Sequence, residues 1–71
     1  MRMLATNALH EMAEQLKVNC DVLNATLKLT PKLDEGIRLW IESSLEKNGD
    51  KIARAYHTID EIETLANEGD H

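Results

Sequence analysis

The chain has 71 residues, of which 42% are hydrophobic and 30% are charged, and its formal net charge is −5. That length allows one small domain, near the lower limit at which a single core supports a fold, and so excludes a multidomain enzyme. With only 3 Gly and 1 Pro, the composition also excludes a low-complexity linker.

The apolar composition favours helices. Aromatic residues are limited to Trp40 and Tyr56, Phe is absent, and most other apolar residues are Leu, Ile, Ala and Met. Leu, Ala and Met are good helix formers, whereas sheets and barrels are rich in aromatic and β-branched residues. We therefore predict a single all-α domain over residues 1–71 with three to four helices.

The lone cysteine, Cys20, cannot form an internal disulfide, which is typical of a reducing cytoplasmic compartment. No basic region precedes an apolar run, and no stretch approaches about 18 continuous apolar residues, so we expect neither a signal peptide nor a membrane span. Because a core of this size gives roughly 3 to 5 kcal/mol of net stability, we expect self-association, as a homodimer.

Charge differs between the two halves of the chain. Residues 1–32 carry four basic and three acidic residues, whereas residues 33–71 carry four basic and ten acidic residues. An acidic surface repels nucleic-acid phosphate and attracts basic partners. DNA binding is therefore expected only from the first half, and binding of a basic protein from the second.

The first apolar stripe spans most of residues 4–28. Its members recur at steps of three and four: Ala5, Leu9, Met12, Leu16, Cys20, Leu23 and Leu27. This spacing is compatible with one long helix. However, residues 18–22 have indifferent helix propensity, and Asn19 is a competent N-cap. We predict two short helices joined by a tight turn near Asn19.

A second helix is predicted over residues 31–47. Thr30 offers an N-cap oxygen, and Pro31 suits the first helical position because its missing N–H has no partner there. Gly49 follows as a C-terminal stop signal.

A third helix is predicted over residues 51–67, with Asp50 as its cap and Gly69 beyond its end. Its apolar residues follow a heptad-like spacing: Ile52, Ala55, Ile59, Ile62 and Ala66. Such a seam is typical of a coiled coil, so Ile52, Ile59 and Ile62 are predicted to pair with a second chain.

On the middle helix, one face is predicted to pack in the core: Leu33, Ile37, Trp40, Ile41 and Ser44. Trp40 is expected to anchor this face, with an interface hot spot as the alternative. Leu39 lies on the other side, next to the small Gly36, and is a candidate for contact with a second chain.

Residues 9–28, LHEMAEQLKVNCDVLNATLK, resemble the helix-turn-helix unit of phage Cro proteins and lactose-repressor-type headpieces. Ala13 falls at the position of the small residue in the helix crossing, and Asn19 at the cap of the second helix. The resemblance implies a transcriptional regulator whose residues 9–28 meet DNA. The implied DNA contacts are Lys17, Asn19, Asn24, Lys28 and Lys32, with Arg2 as a further backbone contact.

A second resemblance is to ribbon-helix-helix regulators, through the alternation Thr26, Leu27, Lys28, Leu29 before Pro31. It implies a short strand at residues 26–29 that pairs with the same strand of a second chain.

Catalytic and metal motifs are absent from the sequence. There is no glycine-rich phosphate loop, paired-cysteine motif or HExxH, so we expect no enzyme, no cofactor and no metal. The pairs His10–Glu14 and His57–Glu61 are too few for a metal site. The alternative function is therefore an acidic helical module that binds a protein, as an inhibitor, antagonist or adaptor of phage or mobile-element type.

Overall fold

The structure, a computed structural model, describes residues 4–69. Two helices form it: α1, Leu4–Leu29, and α2, Glu35–Gly69. The loop of residues 30–34 reverses the chain, so the helices pack antiparallel. The all-α prediction is confirmed, and the prediction of three to four helices is wrong for the described residues.

The hairpin is elongated. Its principal extents are 58 × 15 × 12 Å and its radius of gyration is 16.6 Å, against about 11 Å for a compact chain of this length. Each helix therefore exposes most of its circumference.

Helix α1 continues without a break through residues 18–22, so the predicted turn near Asn19 is wrong. The side chain of Asn19 accepts a hydrogen bond from Gln15 Nε2 (3.2 Å) instead of capping a new helix. No described residue has a positive φ, so the backbone makes no left-handed turn near Asn19. Packing of one stripe along α2 outweighs the weak local propensity.

Residues 26–29 are the last turn of α1, so the strand implied by the resemblance to ribbon-helix-helix regulators does not form. The Thr26 hydroxyl donates to the Val22 carbonyl (2.9 Å), and the Thr30 N–H donates to the Thr26 carbonyl (3.0 Å). The backbone donors of this segment are thus used within the helix, and none is offered to a neighbouring strand.

Helix α2 begins at Glu35, four residues later than predicted. Asp34 caps it: its carboxylate accepts the Gly36 N–H at 3.0 Å, and its carbonyl accepts the Arg38 N–H at 2.9 Å. Pro31 lies in the turn of the loop instead of the first helical turn. The expected Thr30 cap is therefore wrong, because Asp34 satisfies the first donors of the helix.

Helix α2 also continues without a break through residues 48–50, so the predicted helix end before Gly49 and the new start after Asp50 are wrong. Gly49 has an ordinary helical φ, and a Cβ added there would meet nothing within 4 Å. Glycine inside a helix costs about 1 kcal/mol relative to alanine, which continuous packing on both sides of this position offsets.

The core is a narrow seam between the two helices. Both helices follow an unbroken three-and-four spacing along it, with Thr6, Leu9, Ala13, Leu16, Cys20, Leu23 and Leu27 on α1, and Arg38, Ile41, Leu45, Asn48, Ile52, Ala55, Ile59, Ile62 and Ala66 on α2. The buried hydrophobic residues among them are Ala13, Ile41, Ala55 and Ile59.

The seam corrects two side-chain assignments. On α1, Thr6 and Ala13 are buried in place of the predicted Ala5 and Met12, which are exposed. On α2, the residues predicted to pair with a second chain lie in this intrachain seam: Ile52, Ile59 and Ile62. Ile59 is buried and the other two are half-buried, so all three contribute to the core of the single chain.

Candidate interaction surfaces

Two broad surfaces flank the seam, and they differ in chemistry. The first, the acidic face, carries Glu14, Asp21, Glu42, Glu46, Asp60 and Glu63. The second, the apolar face, carries the exposed hydrophobic residues Met12, Val22, Leu29, Ile37, Trp40 and Leu65. In an antiparallel helix pair, positions on one side of the seam meet the corresponding side of the other helix, so each face is built by both helices.

Tyr56 organises the centre of the acidic face. Its hydroxyl donates to Glu14 Oε1 at 3.3 Å, and the Lys17 ammonium lies 4.9 Å from its ring centroid. The ring of His10 meets Tyr56 edge-on, with centroids 5.9 Å apart. Three successive turns of α1 thus contact one side chain of α2, which fixes the register of the hairpin.

Lys17 also forms an ion pair with Glu14 (3.5 Å). The side-chain hydrogen bond to Tyr56, together with the nearby charge of Glu14, raises the pKa of Lys17 above its ordinary value. Lys17 is therefore held by groups of its own chain.

Leu39 lies on the acidic side of α2 and is 57% exposed. The small Gly36 next to it has a role within the single chain. A Cβ at Gly36 would lie 3.1 Å from the Asp34 carboxylate, so the absence of a side chain serves the helix cap.

The apolar face contains an open groove near the loop end, with a volume of about 410 Å³. It is lined by Asn19, Val22, Leu23, Trp40, Ser44 and Asn48. Trp40 is 68% exposed, so the expectation that it anchors the core is wrong. The neighbouring Ile41 occupies the seam instead, which turns the indole out onto this face.

The α1 side of the apolar face has no charged residue. Its exposed or half-buried side chains are Ala5, Ala8, Met12, Gln15, Asn19, Val22, Thr26 and Leu29, and we call them the neutral stripe. The α2 side carries three exposed basic residues near the middle of the helix: Lys47, Lys51 and Arg54. The same row of α2 continues toward the end away from the loop with two exposed acidic residues, Glu61 and Glu68. The apolar face is thus uncharged on α1, and on α2 it is basic at the centre and acidic toward that end.

The structure does not gather the residues predicted to contact DNA. Lys17, Asn24 and Lys28 share one side of α1, where Glu14 and Asp21 lie among them. The other candidates lie elsewhere, with Asn19 in the groove of the apolar face and Lys32 in the loop. Arg2 lies outside the described residues.

The histidine pairs behave as surface groups. His57 Nε2 lies 3.2 Å from Glu61 Oε1, and both side chains are exposed, whereas His10 contacts Tyr56. Within residues 4–69, no group of three or more His, Cys, Asp or Glu side chains is arranged to hold a metal ion. Cys20 is half-buried in the seam.

Neither helix, as far as the structure describes them, is long and apolar enough to cross a membrane.

Sequence reasoning missed the apolar face and the Asp34 cap. A usable signal for the face was present, because the neutral stripe is an eight-position row without charge in a chain that is 30% charged. Comparisons of the chain with protein-family models, with curated protein sequences and with solved structures give no match.

Proposed function

We propose that this chain is a non-enzymatic protein-interaction module: a self-associating helical hairpin that binds a basic protein partner through its acidic face. The observation that carries the proposal is the separation of chemistry between the two broad faces. Six acidic side chains line one side of the seam, and most exposed hydrophobic side chains lie on the other, where the acidic residues are Glu61 and Glu68 near the end away from the loop.

The shape of the hairpin supports action through surfaces. Ligand and active sites are usually concave pockets that enclose most of a ligand. Here the groove beside Trp40 is open to solvent, and a second, equally open depression is formed by side chains of α1 alone. A rod with two extended faces suits contact with other proteins.

The acidic face favours a basic partner. Its carboxylates extend along both helices, and the basic side chains among them include Lys17, which is paired with Glu14. Complementary charge accelerates the encounter of two proteins and disfavours partners of the same sign. An inhibitor, antagonist or adaptor that occupies a basic groove is the class of activity that this surface fits.

DNA binding has weaker support. A helix-turn-helix regulator needs two crossed helices so that the second enters the major groove, and α1 is a single helix over residues 9–28. The basic candidates on α1 are interleaved with Glu14 and Asp21, whose charge opposes phosphate.

The test is affinity capture from the native host with the full chain as bait, scored for protein by quantitative mass spectrometry and for nucleic acid. The variant is Glu42→Lys with Glu46→Lys, which reverses two charges one turn apart on the acidic face. The control is Glu11→Lys with Asp50→Lys, which makes the same charge change on the outer sides of the two helices.

We expect a basic protein that is captured by the native chain and the control but reduced at least about tenfold with the variant, as for truncation of a central interface charge. Equal capture by all three baits would overturn the role of the acidic face. Recovery of nucleic acid at low salt with no such protein would favour the DNA-binding alternative.

A further inference from the structure

The hairpin exposes more surface than a compact monomer of its mass. Its accessible surface is 5633 Å², whereas a folded monomer of 8.0 kDa exposes about 4,450 Å². The excess of roughly 1,200 Å² is comparable to the roughly 800 Å² that each partner buries in a standard interface. The elongated hairpin therefore has enough surface beyond that of a compact monomer for an interface of standard size.

The apolar face is the part of this surface that has the composition of an interface. Its largest exposed side chain, Trp40, lines a groove with Val22 near the loop, and Ile37 and Leu29 lie at the same end. Leu65 and Met12 extend the apolar character toward the other end. Aromatic residues of this kind are typical interface anchors.

The charge pattern of this face makes it complementary to itself. One helix contributes the neutral stripe, and the other contributes Lys47, Lys51 and Arg54 at its centre, with Glu61 and Glu68 farther from the loop. Lysine and arginine stems cover apolar surface well when their charged ends reach water, so the basic row fits against the neutral stripe of another copy. A two-fold interface of this type uses the same patch on both chains.

Two arrangements bring the apolar faces of two hairpins together. If the loops lie at opposite ends, α2 packs on α2 of the second copy, and the basic row meets its own counterpart near the centre. If the loops lie at the same end, α2 packs on α1 of the second copy, and the basic row meets the neutral stripe. Like charges opposite each other at an interface are costly, which favours the second arrangement.

The arrangement with both loops at one end also places the apolar groups together. In this arrangement, residues at the same distance from the loop lie side by side in the two chains. Trp40 of one copy therefore faces the last two turns of α1 in the other. Those turns carry Val22, Thr26 and Leu29. The loop ends thus form a shared apolar cluster.

We infer that a second copy of this chain covers the apolar face, forming a four-helix bundle in which both loops lie at the same end and α2 of each chain packs on α1 of the other. This inference rests on the self-association in the proposed function. It leaves both acidic faces on the outside of the dimer, where each is free to bind a partner.

The face is tested with a matched pair of neighbouring residues. Trp40 and Leu39 are both exposed and adjacent in sequence, but only Trp40 lies on the apolar face. In sedimentation equilibrium, we expect Trp40→Ala to weaken dimerisation at least tenfold and Leu39→Ala to change it less than about twofold. Equal effects of the two substitutions would overturn the assignment of the face.

The orientation is tested with spin labels in the Cys20→Ser background, because Cys20 is the only native thiol. One sample carries a label at position 32 in the loop (Lys32→Cys), and a second carries a label near the other end (Asn67→Cys). Helical folding of both samples is checked by circular dichroism. With the loops together, both samples give interchain distances below about 25 Å, set by interhelical spacings of 8–10 Å plus the label arms.

The outcomes separate this inference from the proposed function. Distances near the 58 Å length of the hairpin in both samples would overturn the orientation and leave self-association intact. A mass equal to the monomer at all concentrations would overturn both the inference and self-association. Partner capture by the acidic face is measured in a separate experiment, with the charge-reversal variant described above, and its result does not depend on the dimer orientation.

Discussion

The acidic face and the apolar face are built from the same two helices, yet the first carries acidic side chains and the second carries most of the exposed hydrophobic ones. Large apolar groups such as Trp40 and Leu65 are exposed, whereas the most deeply buried positions include the small Ala13 and Ala55. A self-sufficient monomer buries its largest apolar side chains. The exposure of these large groups supports our proposal that the apolar face, unlike the seam, makes a contact beyond the single chain.

A substitution in the seam, which lies between the two faces, has the largest expected effect on the free energy of unfolding. Ala55 is 3% exposed, and Ala55→Asp would bury a charge without a partner, at a cost of about 3 kcal/mol or more, enough to unfold a chain of this size. The matched control is Ala53→Asp, the same change at an exposed position, with an expected cost below about 1 kcal/mol. Circular dichroism distinguishes them. A helical, cooperatively unfolding Ala55→Asp chain would show that the seam is misplaced.

Both faces depend on α2 being one continuous helix, and replacement of its glycines tests that continuity. Gly49→Ala is expected to stabilise the chain by about 1 kcal/mol, since the added methyl meets nothing within 4 Å in a continuous helix. Gly36→Ala should gain less, because its Cβ would lie 3.1 Å from the Asp34 carboxylate. Thermal unfolding measures both. If Gly49→Ala lowers the unfolding midpoint, a helix break at that glycine is the better description.

The organisation of the acidic face is tested by Tyr56→Phe. This change removes the hydroxyl that donates to Glu14, so a loss of about 0.5 kcal/mol is expected for an exposed hydrogen bond. Urea unfolding provides the measurement, and sedimentation should show an unchanged mass, because Tyr56 lies away from the apolar face. A change in oligomeric mass would contradict the separation of the two faces.

The smallest expected effect is a pH dependence at the same cluster. Because the pKa of Lys17 is raised in the fold, its stabilising contribution is complete below its ordinary value of 10.5 and is lost as the pH rises through the higher folded value. The difference in urea midpoint between the native chain and Lys17→Met should therefore be largest near neutral pH and shrink above pH 10.5. A difference that grows with alkaline pH would have the wrong sign.

Much of the fold is readable from the sequence. The composition predicted helices, and the three-and-four spacing over residues 4–28 allowed the single long helix that forms. The error came from local signals: Asn19, Thr30 and Gly49 all have the residue types of helix boundaries. Each lies where packing along the partner helix, or the stronger Asp34 cap, determines the backbone, so local propensity is overridden.

The faces were harder to predict. Shifting the stripe of α1 from Ala5 and Met12 to Thr6 and Ala13 is a rotation of one residue, and the smaller or more polar residues are the buried ones. Choosing the more hydrophobic residue, Ala5 over Thr6 and Met12 over Ala13, therefore predicts the wrong buried residue in both cases. Only the combined spacing of both helices, including polar members such as Asn48, identifies the seam and therefore leaves Trp40 outside it.

The central claim is that the apolar face is uncovered in one chain and covered by a second, and the emission of Trp40 measures this directly. Trp40 is the only tryptophan, so the native chain needs no substitution. As the concentration rises, we expect its emission to shift to the blue and its quenching by iodide to fall, in step with a doubling of mass. Emission typical of a water-exposed indole at every concentration, from a chain that remains helical, would contradict the account.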